Sequence, residues 1–122
     1  MNKYKNGFTL IEVLTGLVLL AFGLLAIAGM QITSVKGNFF SGNMTQASIL
    51  AQDRLETLRN AAIGDDALSV GTHNDATIPG TIFTRNYTVS VIPGTTMFSI
   101  VVTVNWRDSS DHTISFTTVR FQ

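Results

Sequence analysis

Residues 6–14 read N-G-F-T-L-I-E-V-L, from Asn6 to Leu14, and the fold turns on this stretch. A single carboxylate, Glu12, stands where a long apolar run begins, and Lys3 and Lys5 lie just before it. No charged residue occurs from Val13 to Val35, and Val13–Met30 is almost wholly aliphatic, aromatic, Gly or Ala. About 20 such residues are enough to cross a bilayer as a helix. The chain of 122 residues therefore has room for one small domain beside that segment.

Composition narrows the function. The formal net charge is zero and 13% of residues are charged, so no basic surplus draws the chain onto nucleic acid or an anionic membrane surface. Cysteine is absent, which removes disulfides and thiolate metal sites. A small domain must then hold together by packing alone.

Beyond the apolar run, Met44, Ala47, Ala51, Leu55, Leu58 and Ala62 recur at spacings of three and four, which predicts one apolar helix face. Gln52, Asp53, Glu56 and Asn60 fall on the other face. The first proline is Pro79, so nothing forces a break between the apolar helix (8–35) and the amphipathic one (36–62). Unbroken, residues 8–62 would extend about 80 Å at 1.5 Å per residue. Gly29, Gly37 and Gly42 are the expected weak points, each costing about 1 kcal/mol relative to Ala.

Residues 63–80 are rich in turn formers and read as a loop, with a short strand at Leu68–Val70 as an option. The period then becomes two. Tyr87, Val89 and Val91 alternate with Thr88, Ser90 and Ile92, and Phe98, Ile100, Val102, Val104 and Trp106 form one face of the next run. Ile114, Phe116 and Thr118 follow. Pro93-Gly94 and Arg107–His112 supply the turns of an antiparallel meander. The expected fold is α+β: a long N-terminal helix, transmembrane and then amphipathic, packed through Ala51, Leu55 and Leu58 on a sheet of three to four strands. The divisions are leader 1–7, assembly helix 8–35, amphipathic helix 36–62, and loop with sheet 63–122.

The apolar run admits more than one reading. Lys3 and Lys5, the Val13–Leu25 segment and Ala26-Ile27-Ala28 match a secretory signal cut after Ala28, which would release a soluble exported binding domain. A plain anchor is the second reading, with a cytoplasmic N-terminus favoured by the lysines and with Gly16 and Gly23 letting another helix approach closely. Near a helix N-terminus, Glu12 would then need no further role.

A third reading rests on K-N-G-F-T-L-I-E-V-L followed by about twenty mostly apolar residues, the length a bilayer demands. The segment resembles the processing site of type IV prepilins and of the pseudopilins of type II secretion. The resemblance covers residues 1–35 strongly. It implies that a membrane-embedded prepilin peptidase cuts between Gly7 and Phe8 and then N-methylates the Phe8 amine. It also implies that Glu12 meets the N-terminus of a neighbouring subunit and sets its register. L-A-F-G-L-L-A-I-A-G-M-Q (20–31) and A-S-I-L-A-Q-D-R-L-E-T-L-R (47–59) are similar to PilV-like minor pilins, with the minor pseudopilin I family of type II secretion next.

The implied partners are the peptidase and N-methyltransferase, other pilins through their N-terminal helices, the inner-membrane assembly machinery with its cytoplasmic ATPase, and the inner membrane itself. No nucleic acid and no cofactor are implied. The C-terminal domain would be periplasmic before it enters a pilus or pseudopilus.

Other chemistry-bearing residues read as structural. His73 and His112 are isolated in sequence, whereas a metal site needs three or four converging ligands. Asp65, Asp66 and Asp75 match no EF-hand spacing and read as solvated loop acids. Asn43-Met44-Thr45 and Asn86-Tyr87-Thr88 carry the short N-glycosylation pattern. Asp53, Arg54, Glu56 and Arg59 read as a solvated or subunit-facing charge band. Trp106 reads as a cap on the core. No nucleophile–base arrangement is evident, and the expectation is a protein without catalytic or metal residues.

Overall fold

The structure, a computed structural model, describes residues 7–121; the basic leader residues Lys3 and Lys5 lie outside the described residues. One α-helix, α1, runs unbroken over Leu10–Asn60. The chain divides into two compact units, residues 1–40 and 41–122.

The first unit contains the apolar part of α1. Two of its hydroxyls are satisfied within the helix: Thr15 Oγ1 donates to the Glu12 carbonyl at 3.0 Å, and Thr33 Oγ1 to the Gly29 carbonyl at 3.2 Å. Such bonds let a threonine sit in an apolar segment without an unpaired donor. Gly29, Gly37 and Gly42 do not interrupt the helix.

The second unit is the head. The end of α1 is followed by a 3₁₀ turn at Asp66–Leu68, then β1 (Gly71–Thr77), β2 (Phe83–Val91), β3 (Met97–Arg107) and β4 (Asp111–Phe121). The strands form one antiparallel sheet in the order β1-β2-β3-β4. Pro93-Gly94 makes the β2–β3 turn, where Gly94 adopts φ 77°. That left-handed backbone suits glycine, which has no Cβ to clash.

The core lies between α1 and one sheet face. Ala47, Ala51 and Leu58 are buried against Phe83, Tyr87, Val89, Ile100, Val102, Val104 and Trp106. The two alanines sit at full burial, where a small side chain lets the helix backbone approach the sheet. Leu55 is only partly buried, and Met44 is 43% exposed, so the apolar stripe is narrower than its spacing predicts. Val91, 47% exposed, lies on the inner face at the strand end and stays uncovered. Trp106 is buried at the core margin as expected, its ring 5.9 Å from that of Phe83.

Two readings are corrected. Leu68–Val70 is not a strand: Asp65 caps a 3₁₀ turn by accepting the Ala67 N–H at 2.9 Å, and Leu68 is buried beneath it. The strand begins at Gly71, inside the segment read as loop. Its inward positions are His73 and Asp75, so no apolar alternation betrays it. His73 stacks on Tyr87 with ring centroids 4.7 Å apart.

Candidate assembly helix and processing site

Gly7, Phe8 and Thr9 precede α1 in non-helical backbone, and Phe8 is 84% exposed. The helix begins at Leu10 because Thr9 caps it. The Glu12 N–H donates to Thr9 Oγ1 at 3.3 Å and to the Thr9 carbonyl at 3.1 Å. A threonine hydroxyl in this place satisfies one of the four amide donors that a helix start leaves open. T-x-x-E is the spacing of a capping box. Sequence reasoning passed over Thr9, although that spacing is a local signal for it.

Glu12 is the third residue of α1, and its carboxylate is exposed and has no hydrogen-bond or ion-pair partner among the described residues. The positive end of the helix favours its charge there. At 3.6 residues per turn, Glu12, Gly16 and Gly23 fall within about 40° of one another around the helix axis. A Cβ added at Gly16 or Gly23 would meet nothing within 4 Å. Two glycines thus lie on the side of the helix that carries Glu12, with exposed Leu19 between them.

The apolar segment is exposed all round. Within α1, one 18-residue window has mean hydropathy 2.5 and none of it is buried, so the helix is long and apolar enough to cross a membrane. Phe22 at 68% and Leu25 at 70% exposure illustrate the surface that lipid or neighbouring helices must cover.

The charge band expected on the helix divides in the structure. Asp53, Glu56 and Arg59 are exposed. Arg54 and Asp75 are not: Arg54 Nη2 donates to Asp75 Oδ1 at 2.7 Å, and Arg85 Nε donates to Asp75 Oδ2 at 2.9 Å. Asp75 is 13% exposed, which corrects its reading as a solvated loop acid. Arg85 also donates to the Leu50 carbonyl at 2.9 Å, and Arg120 to the Leu58 carbonyl at 2.8 Å. Both strands thereby bind the helix through backbone, and Arg120 serves a carbonyl in the last turn that has no intrahelical donor. Sequence reasoning missed Arg85 and Arg120, yet both continue the inward period of two set by Tyr87–Val89 and Ile114–Thr118.

At the β3–β4 turn, Asp108 lies 3.0 Å from His112 Nε2 and Ser110 Oγ lies 3.1 Å from the same nitrogen. A proton relay would place acid and nucleophile on different ring nitrogens. Hydrogen bonds from the Ser110 and Ser109 amides and from His112 hold the Asp108 carboxyl below its usual range. Arg107 grips Asp111 through two hydrogen bonds of 2.5 and 2.7 Å, which lowers the Asp111 pKa and raises that of Arg107. No group of three or more potential metal ligands converges among the described residues.

Residues 2–28 match the family profile of the prokaryotic N-terminal methylation motif. No curated protein and no solved structure is significantly similar to the chain. The match covers the N-terminal motif alone, the segment that is similar in type IV pilins and pseudopilins, and it runs into the helix that is long and apolar enough to cross a membrane.

Proposed function

We propose that the chain is a structural subunit of a type IV pilus-like filament, a minor pilin of the PilV-like kind. It is stored in the inner membrane with its N-terminus cytoplasmic and its head periplasmic. A prepilin peptidase cuts between Gly7 and Phe8, and the new Phe8 amine is methylated. The non-helical backbone at Gly7–Thr9 supports this reading, because a scissile bond outside a helix can enter a protease cleft.

The observation that carries the proposal is the uncommitted Glu12 carboxylate at the head of a fully exposed apolar helix. A charge within the membrane costs about 2.5–3.5 kcal/mol at the midplane on insertion scales, and less near the interface. A cationic partner in a helix bundle offsets that cost. The Phe8 amine of a neighbouring subunit is such a partner, and methylation leaves it cationic. It reaches Glu12 when the neighbour is displaced by about one helical turn, 5.4 Å along the axis. Gly16 and Gly23, on the same side, allow the close approach.

The test is Glu12→Gln in the full-length chain, which removes the charge and keeps the shape. The variant should be processed at Gly7–Phe8 as efficiently as the parent yet be missing from sheared filaments. Incorporation at the parental level would refute the register role.

A further inference from the structure

From Phe8 to Gln52 the sequence carries two charged side chains of opposite sign, Glu12 and Lys36. They stand 24 residues apart on one unbroken helix, about 36 Å along its axis and about 120° around it. Both are exposed, and neither has an ion-pair partner among the described residues.

Lys36 stands among apolar side chains. Ile32, one turn before it, is 59% exposed, and Phe39, close to one turn after it, is 71% exposed. A helix that covers these two also meets the ammonium group between them, and covering a charge without a partner is costly. The carboxylate that a second copy offers from its own apolar segment is Glu12.

Copies at one level in a bilayer cannot make this pair. The hydrocarbon core is about 30 Å thick, so Glu12 and Lys36 then stand near opposite faces. A neighbour raised by about 36 Å sets its Glu12 level with Lys36. We propose that Lys36 forms an ion pair with Glu12 of a second copy displaced by that distance along the helix axis. The proposal rests on the filament reading and gives Glu12 a second cation. A carboxylate has two oxygens, so it can accept from the Phe8 amine of one neighbour and from the Lys36 ammonium of another. Because the two charges lie on different sides of the helix, each copy offers Lys36 to one neighbour and Glu12 to another. Such a head-to-tail contact does not close into a dimer and builds an open filament.

The chain contains no cysteine, and Thr15 and Phe39 are spaced as Glu12 and Lys36 are. Full-length Thr15→Cys with Phe39→Cys leaves both charges in place, and about 36 Å of helix keeps the two thiols from joining within one chain. Oxidised in sheared filaments, the double variant should give a ladder of multimers, while each single variant stays monomeric. In membranes of cells lacking the assembly ATPase, the double variant should stay monomeric too. Filaments that contain the chain but give no ladder would overturn the proposal and leave the filament reading standing, whereas absence of the parent chain from filaments would overturn both. A ladder formed in those membranes, or single variants that dimerise as readily as the double variant, would also overturn the proposal. Lys36→Gln should enter filaments roughly tenfold less than the parent with its membrane pool unchanged, because Glu12 then loses a charged partner; Lys36→Arg should restore entry. Parental entry of Lys36→Gln would contradict the pair. A fall in its membrane pool instead would assign Lys36 to lipid headgroups and overturn the proposal.

Discussion

Thr9 and Glu12 divide two tasks that a capping box normally joins. In that motif the third helical residue folds its carboxylate back onto the cap. Here the Thr9 hydroxyl makes its half of the exchange while the Glu12 carboxylate is left unbound. The helix start therefore does not consume the charge that the proposed assembly step requires. Thr9→Val should cost about 1 kcal/mol at the helix start. Faster amide exchange at Glu12 and Val13, with residues 47–58 unaffected, would register that loss; Thr9→Ser should restore protection. Glu12 was legible in the sequence as a charge out of place. Thr9 was equally legible by its spacing, but the family resemblance points to the Gly7–Phe8 bond rather than to the residue that starts the helix.

At the scale of elements, the amphipathic half of α1 is fixed to the sheet by a small apolar seam and by arginines. Ala47, Ala51 and Leu58 supply the seam. Asp75 links Arg54 on the helix to Arg85 on β2 from its place on β1. Asp75→Asn would leave two guanidinium groups facing a neutral amide. The expected loss is about 1–3 kcal/mol, typical when a partly buried charged hydrogen bond is broken. For a head of this size that lowers the melting temperature by several degrees, whereas Asp66→Asn on the exposed turn should leave it unchanged.

β1 explains why this element escaped the sequence reading. An apolar alternation marks β2 and β3 because their inward residues are Tyr87, Val89, Ile100 and Val102. β1 turns His73 and Asp75 inward and satisfies them by stacking and ion pairing, interactions that depend on residues distant in sequence. The meander, the helix and the core position of Trp106 were legible from local period; the ion-paired strand became visible only when Tyr87, Arg54 and Arg85 were brought beside it.

The β3–β4 hairpin adds a pH-dependent element at the far end of the sheet. Asp111 has its pKa held below the ordinary 3.8 by the Arg107 hydrogen bonds. A depressed carboxylate contributes stability that is complete above its unfolded pKa and is lost as pH falls through the folded one. Asp111→Asn should therefore melt lower than the parent at neutral pH, and the difference should vanish in strong acid. Both partners are exposed, so added salt should shrink it as well. A difference that grows on acidification would contradict the assignment.

On the scale of the whole molecule, the chain joins a head that buries its own core to an apolar segment that buries nothing. Such a segment is stable only in lipid or among other helices. A filament subunit uses both environments in turn, first the membrane and then the helical core of the filament. The central claim is that the apolar helix is retained and processed at its start, not removed as a signal sequence. Intact mass and N-terminal sequencing of the mature protein from membranes test this directly. The account predicts a chain beginning at Phe8 with a methylated amine and carrying the whole of α1. A chain beginning at Gly29, after Ala28, would contradict it.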